Sequence, residues 1–258
     1  MEIVEVVFGW RMRQTVKAEE AIESYLAALV QNGQIADPAL AKVRGGYRVF
    51  ASLPARDALH RRHASNWVRR AQAGLNSLGI RTPKMRVIGP DPEEPAACVC
   101  QRRPFLILFT DFLTEASPVR CGRCFGPVPV YLLPHLESVE SGREVLRWQD
   151  VYQSLDALWI DSGVAERYAY RQLSDVRSPL SHEGRELAKQ LEAKVGVPVY
   201  YYLMKHYGVS DKRDRQRRCP SCRGRWLLPE SLHGILDFRC ERCRLVSNVA
   251  FDVRISRT

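Results

Sequence analysis

Four cysteines constrain the fold of this chain more than any other feature. Cys219 and Cys222, then Cys240 and Cys243, form a C-x2-C…C-x2-C pattern with 17 residues between the pairs. Two residues between cysteines allow a tight turn that aims both sulfurs at one point, and the intervening stretch suffices for two short strands that return the chain to it. Four thiolates in a tetrahedron suit Zn²⁺ and leave no coordination position open to a substrate. The pattern predicts a structural zinc ribbon rather than a catalytic metal.

All eight cysteines fall in close pairs. Cys98-x-Cys100 and Cys121-x2-Cys124, 20 residues apart, permit a second tetrahedron. The alternatives are a site shared with the C-terminal set and a half-site that holds nothing. Close pairs in a reducing compartment read as metal ligands or redox thiols. A redox C-x-x-C would open a helix, and Cys124-Phe125-Gly126-Pro127 does not. The start, Met1-Glu2-Ile3-Val4-Glu5, carries acids where a signal peptide carries bases, and no apolar stretch reaches membrane-span length. A cytoplasmic protein without membrane contact is expected.

The formal charge is +10, and residues 205–258 carry 13 Lys/Arg against six Asp/Glu. A zinc ion with four thiolates contributes −2, so two such centres would leave about +6. The excess concentrates beside the C-terminal knuckle, in Lys212, Arg213, Arg215, Arg217, Arg218, Arg223 and Arg225, with Arg239, Arg242 and Arg244 on the facing arm. Arginine forks match phosphate oxygens, and aromatic rings beside them stack on bases. Arg213, Arg217, Arg218, Arg223, Arg225 and Trp226 are therefore the expected nucleic-acid contacts; for any one arginine, a solvated surface is the alternative.

Three regions follow from patterning, giving an α+β chain. Residues 1–89 read as an N-terminal α/β sandwich in the order β-α-β-α-β. Its strands are Ile3 to Phe8, Tyr47 to Phe50 and Met85 to Ile88. Its helices are Glu19 to Val30, stopping at Asn32-Gly33, and about Ala55 to Leu78, with Leu59, His63, Trp67, Ala71, Leu75 and Leu78 on one stripe. Gly89 to Pro95 reads as a linker. Residues 96–208 read as a central mixed α/β region. It has an apolar run from Phe105 to Phe109, a strand from Val128 to Leu133 and helices over about Gly142 to Ile160 and Val164 to Leu173. A third helix is capped by Ser181, and Val197 to Met204 is a buried strand. Residues 209–258 form the C-terminal zinc ribbon, with strands at 226–228, 236–238 and 249–251.

Other chemistry is sparse. His60 and His63 sit one turn apart if helical, with arginines around them and no carboxylate adjoining, so packing is expected rather than a metal. Asp156, Asp161 and Glu166 make a carboxylate site only if tertiary structure gathers them. No phosphate-binding glycine loop, metalloprotease helix or nucleophile elbow occurs, and no enzymatic activity is predicted.

The runs Pro118 to Phe125, Pro129 to Pro134 and Val199 to Leu203, with Cys219-Pro220-Ser221-Cys222 and Cys240 to Asn248, resemble a family of uncharacterised bacterial proteins. That family is described as containing a zinc ribbon and as candidate nucleic-acid binders. The resemblance covers most of the chain and is densest from Cys98 to Asn248. It implies a cytoplasmic bacterial protein with a C-terminal zinc ribbon, and it supplies no reaction or catalytic residue. The expected function is nucleic-acid binding through a basic face beside the ribbon. The alternative is a protein–protein module, such as an immunity or antitoxin-like subunit, whose basic face meets an acidic partner.

Overall fold

The computed structural model describes residues 1–9, 16–80, 83–133 and 139–255, and of 139–142, 254 and 255 the backbone alone. Pro134 of the resemblance motif lies outside the described residues. The chain divides into two compact units, the first comprising residues 1–99, 114–117 and 126–146, the second 100–113, 118–125 and 147–258. Among the described residues no helix is long and apolar enough to cross a membrane.

The first unit is built from β1 (Glu2–Gly9), α1 (Val16–Gln31), β2 (Ala36–Val43), β3 (Gly46–Leu53), α2 (Asn66–Ser77) and β4 (Lys84–Pro90). The sheet is antiparallel throughout, in the order β2-β3-β1-β4. This is the ferredoxin-like β-α-β-β-α-β arrangement, one strand more than the expected order. Period-two alternation puts Val4, Val6 and Phe8 of β1 and Tyr47, Val49, Ala51 and Leu53 of β3 into one core with Ile22, Leu26 and Leu29 of α1 and Val68 and Leu75 of α2. β2 has no strand signal in the sequence because Asp37-Pro38 interrupts it; the missing proline N–H is tolerated because β2 is an edge strand whose register shifts between Ala36 and Ala39.

The two helix signals fared differently. α1 ends where Asn32-Gly33 predicts, in a Schellman motif: Gly33 at φ +67° donates to the Val30 carbonyl and Gln34 to the Leu29 carbonyl. The second helix is shorter than expected. It starts at Asn66, because the Ser65 hydroxyl caps it by accepting the Val68 N–H. Leu59 and His63 precede it, His63 in a single 3-10 turn over Arg61–His63. The expected linker is anchored. Ser52 donates to Asp91, while the Glu94 carboxylate accepts the Thr114 hydroxyl and the Glu115 and Ala116 amides.

The second unit holds a six-stranded mixed sheet in the order β6-β5-β7-β10-β9-β8. Its strands are β5 (Leu106–Leu108), β6 (Val119–Cys121), β7 (Val199–Tyr202), β8 (Leu227–Leu232), β9 (Leu236–Cys240) and β10 (Leu245–Ser247). β7 runs parallel to both β5 and β10, so the hairpin from the C-terminal cysteine region continues the sheet begun by β5 and β6. The third strand expected in the C-terminal segment is therefore Leu245–Ser247, not 249–251, where α7 (Phe251–Ile255) begins. Helices α3 (Val139–Asp161), α4 (Glu166–Ser174) and α5 (Pro179–Val195) and the short α6 (Asp211–Arg215) complete the elements.

Two other local expectations are corrected. Val130 to Leu132 is a 3-10 turn rather than a strand, since Pro127 and Pro129 have no N–H to give a ladder. α5 is capped by Ser178, with Pro179 in its first turn; Ser181 lies inside and donates its amide to the Ser178 hydroxyl. β7 is buried along its whole length, as its apolar run predicts. α5 approaches β7 closely at Gly184, where a Cβ would stand 2.3 Å from the Tyr201 ring and 2.7 Å from Trp148 Nε1.

That close approach gives a stability test. Gly184→Ala should overpack the α5–β7 contact and cost about 1–3 kcal/mol in urea unfolding. Gly74→Ala, on α2 with open space around it, should instead stabilise by about 0.5–1 kcal/mol.

Candidate metal centres

Both predicted cysteine sets assemble. The sulfurs of Cys219, Cys222, Cys240 and Cys243 all lie within 4.8 Å of one another, as do those of Cys98, Cys100, Cys121 and Cys124. Among the described residues these are the two His/Cys/Asp/Glu groups able to hold a metal ion. Cys222 Sγ and Cys240 Sγ are 3.6 Å apart. A tetrahedron with metal–sulfur bonds of about 2.3 Å has edges of about 3.8 Å, so the donors already stand near ligating distance.

Backbone geometry explains how the knuckles form. The residue after the second cysteine of each C-x2-C pair adopts the left-handed conformation: Phe125 at φ 60°, Arg223 at 62° and Arg244 at 51°. The reversal lets the Cys219 amide donate to the Gly224 carbonyl and the Arg223 amide to the Cys219 carbonyl. In the other set Phe125 N–H reaches the Cys121 carbonyl and Arg123 N–H the Cys121 sulfur. Glycine is the usual residue for this conformation, and arginine or phenylalanine there gives no sequence signal. Two glycines do carry packing constraints. A Cβ on Gly224 would sit 3.3 Å from Cys222 Sγ, and one on Gly122 would enter the Phe105 ring at 2.3 Å.

The thiols are not equivalent. The Gly224 amide, with the other cysteines, holds Cys222 down to about 7, while burial pushes Cys240 up to about 12 and raises Cys219. Three more thiolates cannot gather beside the first without a cation between them. The donor set thus fits a soft divalent metal that displaces the protons. The β8–β9 hairpin tip reaches the other knuckle, where His233 Nε2 donates to the Gly122 carbonyl at 3.0 Å and its ring stacks on Phe125 at 5.0 Å. Nothing in the sequence flagged His233.

The expected contact residues separate into two groups. Arg213, Arg218, Arg223 and Arg225 are exposed, as are Lys212 and Arg242. Trp226 and Arg217 take internal places instead. Trp226 is 3% exposed, packs on Phe238 and donates its indole N–H to the Arg217 carbonyl. The Arg217 guanidinium lies over the Phe238 ring at 4.1 Å and donates to the Ser247 hydroxyl and the Asn248 carbonyl. Arg215, Arg239 and Arg244 pair with Asp211, Glu241 and Glu192.

The remaining candidates do not form a site. A carboxylate does meet His63, contrary to expectation: Asp57 faces its Nε2 at 3.3 Å, and the ring packs on Tyr131. The three acids of the central region are not gathered into one group. Asp156 is buried and accepts the Phe112 amide, Glu166 accepts the Tyr207 hydroxyl, and Asp161 is exposed.

Three family models match, each described as a domain of unknown function: DUF8589 over residues 1–89, DUF2310 over 100–204 and DUF8594 over 208–253. Two uncharacterized proteins of Haemophilus influenzae are similar. One is 30% identical over 211 residues, spanning 80% of this chain and 79% of its own. The other is 35% identical over 181 residues, spanning 69% and 87% respectively.

Two measurements follow. Metal content per chain should be two, falling to one in both Cys219→Ser and Cys121→Ser; an unchanged content in either would leave that set metal-free. Burial raises the Asp156 carboxyl to about 6. A carboxyl raised in the folded state stabilises fully below its unfolded value near 4, and the contribution is lost as pH rises through about 6. Asp156→Asn should therefore stabilise the chain by about 2 kcal/mol at pH 8 and not at pH 3.5.

Proposed function

We propose, from the premise that the chain belongs to the uncharacterised bacterial family of these two Haemophilus influenzae proteins, that it is a zinc-stabilised nucleic-acid-binding protein. Zinc in the Cys219–Cys243 centre closes the knuckles, and a second zinc occupies the Cys98–Cys124 centre. Such sites contribute roughly 10 kcal/mol or more of folding free energy at neutral pH and offer no open coordination position for chemistry. The centres act as mounts, and the contact surface is the charge around the C-terminal one.

One observation carries this reading. Lys212, Arg213, Arg218, Arg223, Arg225 and Arg242 are exposed and, among the described residues, make no ion pair. Arg218, Arg223 and Arg242 adjoin a ligand cysteine in sequence and Arg225 follows Gly224, so four of the six surround one point. The arginines with acidic partners lie among them, which separates cations held by the fold from cations left for a ligand. Their geometry suits phosphate oxygens, and their number implies strong salt dependence. A cytoplasmic location accords with this role.

Arg223 separates fold from contact. Its left-handed backbone favours glycine, so Arg223→Gly should keep both metals and hold or raise stability by up to about 1 kcal/mol. It should nonetheless weaken nucleic-acid binding and reduce the slope of log affinity against log salt by about 1. Neutralising Arg213, Arg218, Arg223 and Arg225 together should reduce it by about 3–4. Absence of binding at low salt, or an unchanged slope in the quadruple variant, would overturn the proposal.

A further inference from the structure

The second unit carries an aromatic cluster outside the metal centres. α3 supplies Trp159, α4 supplies Tyr170, and the segment after β7 supplies His206 and Tyr207. Ring centroids are 4.7 Å apart for Trp159–His206, 4.8 Å for His206–Tyr207, 4.8 Å for Tyr170–Tyr207 and 5.7 Å for Trp159–Tyr170. The backbone beneath is fixed. The Tyr170 hydroxyl accepts the amides of His206 and Tyr207 at 3.3 Å each, and the Asp252 carboxylate accepts the Gly208 amide at 2.9 Å. The Trp159 indole N–H is buried and, among the described residues, finds no acceptor.

These rings pack on each other, mostly edge to face at 68–80°, rather than facing across a gap, so they brace one another and do not form a cage for a cation. Tyr207 stands at the outer edge of the cluster, 46% exposed. Ser210 follows closely and caps α6, whose Lys212 and Arg213 are exposed and unpaired among the described residues. One exposed ring, five and six residues before cations that make no ion pair among the described residues, complements a ligand with a flat π-face and a nearby phosphate. A duplex hides the faces of its bases; a single strand presents them.

We infer that Tyr207, held by His206 packed against it, offers the stacking face for an unstacked base of single-stranded nucleic acid, whose adjoining phosphates lie on Lys212 and Arg213. This rests on the nucleic-acid reading above and adds the strandedness of the ligand and a site away from the knuckles.

Binding of fluorescent oligo(dT) and oligo(U) of about 20 nucleotides, longer than the ~4–16 covered by one single-strand-binding fold, tests it against a duplex of equal length. Wild type should prefer the single strands. Tyr207→Ala should weaken single-strand binding about 5- to 100-fold, with the salt slope and duplex binding unchanged. Tyr207→Phe, which keeps the ring and loses only the hydroxyl contact with Glu166, should bind like wild type. Tyr168→Ala removes another exposed aromatic of α4, 60% exposed, and should have no effect. Equal single-strand binding by wild type and Tyr207→Ala would overturn this inference and leave the proposed function standing. So would no preference for single strands, or a Tyr207→Phe chain as weak as Tyr207→Ala. Failure of wild type to bind any of the three probes would overturn both.

Discussion

The parallel pairing of β10 with β7 is the contact on which the second unit depends. Two residues of register, Leu245 opposite Tyr201 and Val246 opposite Tyr202, turn a hairpin between cysteine pairs into part of a six-stranded sheet. So short a ladder needs support, and buried polar groups supply it. The Asn248 side chain accepts from the Tyr202 hydroxyl and the Lys205 amide and donates to the carbonyls of Lys205 and Val249. Ser247 donates to the Leu203 carbonyl, while Asp237 and Asp214 accept the amides of Val249 and Ala250. Each bond is worth only about 1 kcal/mol net, but a buried group that lost its partner would cost about 1–3 kcal/mol, so the set holds as a unit.

Arg217 belongs to this arrangement and changes how the basic segment is understood. Its guanidinium is held between the Phe238 face and the polar atoms of residues 247 and 248, so a residue that counts toward the charge of the surface is spent on the interior. Burial lowers its pKa, and the nearby Asp214 carboxylate opposes the shift. Net charge by segment describes the long-range field, and only the fold decides which cations can reach a ligand.

Much of the candidate site was legible in the sequence, because its determinants are local. Two-residue spacing fixes where sulfurs point, and both cysteine sets close as their spacing predicts. The Asn32-Gly33 stop and the apolar run of β7 were equally local. What could not be read depends on partners distant in sequence. β2 exists because β3 gives it an edge to pair with. Leu245–Ser247, rather than 249–251, became the third strand because β7 offers its edge there. Ser178 and Ser181 both suit a cap, and Pro179 between them decides the matter. The burial of Trp226 and Arg217 follows from Phe238, and the place of His233 from a carbonyl in a far knuckle.

The position of β7 has a consequence for the chain during synthesis. A ribosome delivers β5, β6 and β7 well before β10, and until Leu245 to Ser247 emerge one side of β7 has bare backbone amides and carbonyls. That strand is Val199-Tyr200-Tyr201-Tyr202, a flat run of β-formers without a charge, the kind of open edge that recruits other chains. The last strand of the sheet is thus also its shield, and a nascent or proteolysed chain lacking it would have an adhesive edge.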